Sequence, residues 1–134
     1  MTALESIEGI GSVYGQKLTM AGVKTVEALL QAGATPKGRD ELAQKTGIDK
    51  GLILEWVNHA DLYRIKGVAG EYADLLEEAG VDTVVELAQR KPENLHEKML
   101  TTNAEKKLVR REPSLKEVQS WVEQAKSLPR VVSY

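Results

Sequence analysis

The chain has 134 residues, of which 42% are hydrophobic and 28% are charged, and its formal net charge is −2. This length suits one compact domain, with room inside it for two small repeats. The absence of cysteine excludes disulfides, thiol catalysis and cysteine-type zinc sites.

The distribution of apolar residues argues against a membrane protein. No apolar run approaches the roughly 20 residues that are needed to span a bilayer. The N-terminal stretch MTALESIEGIG lacks the basic start and the apolar segment of a signal peptide. We therefore expect a cytoplasmic protein without a membrane partner.

An internal repeat is the most informative feature of the sequence. Residues 7–30 have the sequence IEGIGSVYGQKLTMAGVKTVEALL, and residues 65–88 have the sequence IKGVAGEYADLLEEAGVDTVVELA. Ten of the 24 aligned positions are identical, whereas ordinary composition would give about one or two by chance. We predict a single compact domain of two repeats, which cover about residues 1–62 and 63–134.

Cap residues and apolar stripes predict the helices of the first repeat. Ser12 is placed to cap the helix that follows it. A loop over residues 33–38 should precede a helix over residues 39–46. Asp49 then caps a central helix, whose apolar stripe includes Trp56.

The second repeat shows similar signals around a longer middle segment. Thr83 and Glu86 have the spacing of a capping box. PENLHEKML and TTNAEKKLVRRE predict two consecutive helical segments. The last helix carries Trp121 in the place that Trp56 has in the first repeat, so we expect both indoles in the core. No alternating run of β-branched residues indicates a strand, and the predicted fold is all-α.

A short glycine turn stands before a helix in each repeat. The two turns are Gly9-Ile10-Gly11 before Ser12, and Gly67-Val68-Ala69 before Gly70. This pattern, hydrophobe-x-Gly-hydrophobe-small, resembles the helix-hairpin-helix family. The resemblance implies that the hairpin amides and the N-terminus of the following helix bind a DNA phosphate, since unpaired N–H groups there attract an anion. The second turn departs from the family pattern at Ala69, where the family prefers glycine.

A closer resemblance extends over nearly the whole chain. It rests on TPKGRDELAQKTGI, EWVNHADLYRIKGV, PENLHEKM, KKLVRREPS and LPRVVSY, which resemble a family of small bacterial tandem helix-hairpin-helix proteins of uncharacterised function. It implies an all-α fold of two tandem helix-hairpin-helix repeats, and a fold alone does not assign an activity. Because the first hairpin lacks a long preceding helix, we expect the C-terminal helix to pack beside it, so that the two repeats are related by pseudo-twofold symmetry.

Basic residues near the hairpins and in one cluster are candidate phosphate contacts. Lys17 follows the first hairpin, whereas Arg64 and Lys66 flank the second. Spacing of i, i+1, i+4 and i+5 from residue 106 predicts a basic face on one helix. The predicted DNA-phosphate set is Gly9, Ile10, Gly11, Ser12, Lys17, Arg64, Lys66, Gly67, Val68, Ala69, Gly70, Lys106, Lys107, Arg110 and Arg111. The alternative is a solvated basic face, together with glycines that serve only the turns.

These features predict a non-enzymatic binding module, for which two kinds of partner remain open. One is DNA, bound weakly and without sequence preference through the hairpin amides and the basic face. The other is a protein partner, favoured by the net charge of −2 and by the six carboxylates within residues 71–86. His59 and His96 are single histidines and predict no metal site. The absence of a P-loop or a catalytic triad predicts no enzyme activity, cofactor or small-molecule substrate.

Overall fold

The computed structural model describes residues 2–134, and Met1, with which the first predicted repeat begins, lies outside the described residues. The described chain contains eight α-helices and no strand, which confirms the all-α prediction. After a 3-10 turn at Leu4–Ser6, the helices are α1 (Ser12–Met20), α2 (Val26–Ala32), α3 (Pro36–Thr46), α4 (Lys50–Leu62), α5 (Gly70–Glu78), α6 (Val84–Ala88), α7 (Pro92–Lys106) and α8 (Leu115–Ser127). Among these helices, none is long and apolar enough to cross a membrane.

The helices are divided between two compact units. The first unit comprises Met1–Asp61 together with Val131–Tyr134, and the second comprises Leu62–Arg130. The last four residues thus belong with the first unit, where the Ser133 N–H donates to the Ala34 carbonyl at 2.8 Å.

A tryptophan packed on a glycine turn organises the first unit. Trp56, on α4, is only 1% exposed, and its ring lies 5.1 Å from the Tyr14 ring of α1. In the turn before α1, the Ile10 N–H donates to the Ile7 carbonyl at 3.1 Å. Gly9 has a φ of 94°, and a Cβ there would lie 3.4 Å from the indole nitrogen of Trp56. The turn and the indole are therefore in direct contact.

The second unit contains the same kind of contact. Trp121, on α8, is 2% exposed, and its ring lies 5.3 Å from the Tyr72 ring of α5. The Val68 N–H donates to the Ile65 carbonyl at 3.1 Å. Gly67 has a φ of 95°, and a Cβ there would lie 3.0 Å from the indole nitrogen of Trp121. The prediction that both tryptophans are core residues is confirmed.

The C-terminal helix α8 lies in the second unit and packs against α6 and α7. Its Gln124 side chain accepts from the Lys66 N–H at 2.9 Å and donates to the Lys66 carbonyl at 3.2 Å. α8 therefore contacts the second turn through the Trp121 indole and the Gln124 side-chain amide, just as α4 supplies the Trp56 indole to the first turn.

Helix starts in the first unit differ from the prediction at two places. α3 begins at Pro36 rather than residue 39, because the Thr35 hydroxyl accepts from the Gly38 N–H at 3.1 Å and proline is well suited to the first helical position. Ser12 is not the cap of α1: Gly11 is the N-cap residue, and no side chain caps this helix.

The second unit also departs from the predicted helices. The segments PENLHEKML and TTNAEKKLVRRE do not form two helices, because α7 covers the first segment and continues into the second only as far as Lys106. Thr83 caps α6 as expected, by accepting from the Glu86 N–H at 3.4 Å. The reciprocal bond of the capping box is displaced by one residue, since the Glu86 carboxylate accepts from the Asp82 N–H at 3.3 Å.

Truncating either core tryptophan should destabilise the unit that contains it. Trp56→Ala and Trp121→Ala should each lower the free energy of unfolding by about 3–5 kcal/mol, since each leaves a large cavity beside a tyrosine ring and a hairpin. Urea unfolding followed by circular dichroism measures this change. A wild-type midpoint for either variant would contradict the assigned packing.

The glycine of the second turn should be much less tolerant of a side chain than the glycine that caps α1. Gly67→Ser should cost about 1–2 kcal/mol of stability, because a residue with a Cβ is strained at positive φ. Gly11→Ser is the matched control. Gly11 has a φ of −87°, no atom lies within 4 Å of its Cβ position, and serine is a favourable N-cap. Equal thermal stabilities of the two variants would contradict the described turn.

Candidate functional site

The first hairpin presents a run of unoccupied backbone donors. The N–H groups of Gly11, Ser12 and Val13 have no hydrogen-bond acceptor among residues 2–134. The first amide to bond back is that of Gly15, which donates to the Gly11 carbonyl at 2.9 Å. The first turn of a helix leaves such donors free, and the helix dipole places partial positive charge there. All three residues are exposed, so an anion can approach them.

Two other members of the predicted set in this hairpin serve the turn itself. The Ile10 side chain is buried, and its N–H is bonded within the turn. Gly9 supplies the positive φ and the space for the indole of Trp56. The open donors of the first hairpin therefore begin at Gly11.

The second hairpin is partly closed by groups of its own unit. The Gly70 N–H, at the start of α5, donates to the Tyr63 hydroxyl at 2.8 Å. The Lys66 N–H donates to the Gln124 side chain at 2.9 Å. The Tyr72 N–H bonds to the Ala69 carbonyl at 2.9 Å, and Val68 is buried with its N–H bonded in the turn. The amides of Val68 and Gly70 therefore have partners within the protein, whereas those of Gly67 and Ala69 have no acceptor among residues 2–134.

The sequence contains a signal for this difference between the hairpins. Tyr63 precedes Gly70 by seven residues, and the equivalent position before Ser12 is Glu5. A tyrosine hydroxyl accepts a hydrogen bond from the amide at the helix start. The Glu5 carboxylate instead lies against Gly15.

Two lysines lie on the surface that continues from the first hairpin. Lys17 is one turn into α1, with its ammonium 6.0 Å from the centre of the Tyr14 ring. Lys17 and Lys45 line one shallow surface cavity of about 460 Å³ together with Met20. Lys45 was missed by the sequence analysis, because only the fold brings the end of α3 to the end of α1. No ion pair neutralises either lysine among the described residues.

The predicted basic helix face at residues 106–111 is wrong. α7 ends at Lys106, and Lys107 takes a left-handed φ of 52°. The Lys106 ammonium pairs with the Glu78 carboxylate at 2.7 Å, and this hydrogen bond raises the pKa of Lys106. Arg111 donates to both carboxylate oxygens of Glu117, at 2.9 and 2.8 Å. These two cations are therefore neutralised within the second unit.

The remaining predicted cations of the second unit are scattered. Lys107 and Arg110 are exposed, and neither has an ion pair among residues 2–134. Arg64 donates to the Pro129 carbonyl at 2.6 Å, and the Lys66 side chain is exposed beside the second hairpin. The second unit thus has exposed charge but fewer open hairpin donors.

The pair between Arg111 and Glu117 should appear in the pH dependence of stability. Two hydrogen bonds from Arg111, and one from the Ser114 N–H, lower the pKa of Glu117 from 4.5 to about 2. A lowered folded-state pKa stabilises the protein above the unfolded-state pKa, and this contribution is lost as pH falls towards 2. Glu117→Gln should therefore be less stable than wild type at pH 7. The difference should vanish near pH 2 in urea unfolding, and a difference independent of pH would contradict the pairing.

Comparison with known proteins gives a family but no characterised relative. No curated protein matches the chain, and no solved structure matches it. A family described as a domain of unknown function (DUF4332) matches residues 8–128, which include both hairpins and all eight helices. Since this match covers most of the 134 residues, the chain belongs to the DUF4332 family.

Proposed function

We propose that this chain is a cytoplasmic, non-enzymatic binding module of two helix-hairpin-helix units, and that its first hairpin binds the phosphate backbone of DNA. The duplication is supported by the same backbone hydrogen bond after the ends of α1 and α5. The Val23 N–H donates to the Leu18 carbonyl at 2.9 Å, and the Val81 N–H donates to the Leu76 carbonyl at 2.8 Å. These bonds, together with the indole-covered turns, favour two related units.

The observation that carries the DNA proposal is the row of open amides at residues 11–13. Phosphate oxygens accept hydrogen bonds from backbone N–H groups at helix starts. Contacts to phosphate fix a protein on the duplex but carry no base identity. Binding through this hairpin is therefore independent of sequence.

The charges around the first hairpin determine how strongly it should bind DNA. Lys17 and Lys45 attract phosphate, whereas Glu5 and Glu8 beside the hairpin repel it. The whole chain carries a net charge of −2, so no long-range attraction assists. Binding through two lysine–phosphate contacts should be weak, with a slope of log affinity against log salt of about −2.

A proline at the first position of α1 tests the role of the amide itself. Ser12→Pro removes one open N–H, while proline fits the first turn of a helix and leaves the fold intact. It should weaken DNA binding by at least about tenfold, because one hydrogen bond to a charged group contributes about 1.5–3 kcal/mol. Fluorescence anisotropy with a labelled duplex at about 20 mM salt measures the affinity, since low salt favours contacts to phosphate.

Two matched variants separate the amide from other effects. Ser12→Ala keeps the N–H and should bind like wild type. Gly70→Pro makes the equivalent change at α5, where the amide already has the Tyr63 hydroxyl as its acceptor, so DNA affinity should not fall. Lys17→Ala with Lys45→Ala should flatten the salt dependence. Wild-type affinity for Ser12→Pro would exclude the first hairpin as the contact.

A protein partner is the second candidate function. Val13 and Met20 are 65% and 83% exposed, and they share one face of α1 with Lys17 because they lie at i, i+4 and i+7. An exposed apolar pair suits a protein partner better than DNA. In that case no DNA complex forms at about 20 mM salt. Val13→Asp with Met20→Asp would then abolish recovery of the partner while leaving the helical content unchanged.

A further inference from the structure

Arg39 is a buried cation without an acidic partner. It lies on α3 and is only 5% exposed. Its guanidinium donates to the Gly33 carbonyl and to the Ser133 carbonyl, both at 2.8 Å. These bonds use two of the five N–H groups that a guanidinium carries. No carboxylate pairs with it among residues 2–134, although burying a cation without a counter-charge is costly.

Arg39 also lines the wall of a cavity in the first unit. The cavity has a volume of about 370 Å³, which is within the range of small-molecule sites. Its lining includes Pro36, Leu54 and Tyr134 as apolar or aromatic surface. The Tyr134 ring centre lies 5.9 Å from the guanidinium carbon of Arg39. The tyrosine itself is held by its hydroxyl, which donates to the Asn58 side chain at 3.2 Å.

The remaining charges of the wall favour an anion. Lys50 and Asp40 both line the cavity and pair with each other at 2.6 Å. Together with Arg39, the side chains of the wall therefore comprise two cations and one carboxylate. The N–H of Gly51, another lining residue, already donates to the Asp49 carboxylate at 3.0 Å. The unmatched charge in the wall is therefore that of Arg39, and not the N-terminus of α4.

We propose that this cavity binds a small organic oxyanion, a carboxylate or phosphate joined to an apolar or aromatic body. The oxygens accept from the N–H groups of Arg39 that the two carbonyls leave unused, because a guanidinium fork matches carboxylate and phosphate geometry. The body of the ligand packs against Leu54 and the Tyr134 ring. This site is separate from the hairpin amides of the proposed function, and it adds a small-molecule ligand that the sequence analysis did not expect.

Three probes test the chemistry of the site. Benzoate and phenyl phosphate carry the two oxyanions on one aromatic body, and benzamide is the neutral counterpart. NMR titration of the full chain at about 150 mM salt, where distant charges are screened, should give saturable shifts at Gly51 and at the Arg39 side-chain N–H for benzoate, phenyl phosphate or both. Saturation by one alone identifies a carboxylate or a phosphate ligand. No saturation with either, or equal affinity for benzamide, overturns the proposal.

Substitutions at other residues leave the two hydrogen bonds of Arg39 intact and test whether the oxyanion binds in this cavity. Lys50→Glu reverses a charge on the cavity wall and should weaken oxyanion binding about five- to tenfold. Lys45→Glu is the matched control, because it makes the same charge change on a different cavity, and its affinity should equal that of wild type. Leu54→Trp fills the apolar part and should abolish binding. If Lys50→Glu and Leu54→Trp both bind like wild type, the proposal is wrong.

Removing the guanidinium is the most direct change, but it also breaks two bonds that hold the fold. Arg39→Lys keeps the charge and loses the fork, so oxyanion affinity should fall at least about tenfold. Its circular dichroism spectrum reports whether the fold survives, and the Lys50 and Leu54 variants decide the question if it does not. Ser12→Pro should leave oxyanion affinity unchanged, which separates this site from the DNA proposal.

Discussion

The contact between an indole and a left-handed glycine turn is the constraint on which each unit depends. A Cβ at Gly9 or Gly67 would lie 3.4 or 3.0 Å from the indole nitrogen of its tryptophan. Glycine is thus required both for the positive φ and for the close approach. The glycine turn also determines the residue at which the following helix begins, and hence the direction of the first free N–H groups of that helix. The structural need for these glycines would exist in either unit even if no phosphate were ever bound.

The two hairpins share this scaffold but differ in what happens to their amides. In the second unit, the Tyr63 hydroxyl and the Gln124 side chain take hydrogen bonds from the Gly70 and Lys66 N–H groups. In the first unit, none of the amides at residues 11–13 has an internal acceptor among residues 2–134, whereas one of the three equivalent amides in the second unit, that of Gly70, has one. A buried or partly buried amide needs a partner somewhere, and exposed amides at a helix start can find it in a ligand. This asymmetry makes the first hairpin the better candidate, even though basic residues are more numerous near the second.

The sequence predicted the helical class, the core tryptophans and the turns, because these depend on local spacing and on short motifs. It failed at residues 106–111, where spacing suggested a helix face but Lys107 adopts a left-handed conformation and ends α7. It also missed Lys45 and Arg39, whose surroundings come from contacts between separate helices. The partner of a charge is a long-range property: Glu78 neutralises Lys106 across 28 positions, and the two acceptors of Arg39 lie six and 94 positions away. Periodicity in one segment contains no information about such pairs.

The central claim is that the first hairpin, rather than the second, provides the phosphate contact. The most direct measurement is a ¹H–¹⁵N NMR titration of the full chain with a short DNA duplex at low salt. The account predicts progressive, saturable shifts of the Gly11, Ser12 and Val13 amides, with the Lys66 and Gly70 amides unchanged because their acceptors are internal. Shifts at Gly70 without shifts at residues 11–13, or no shift at either hairpin, would contradict it.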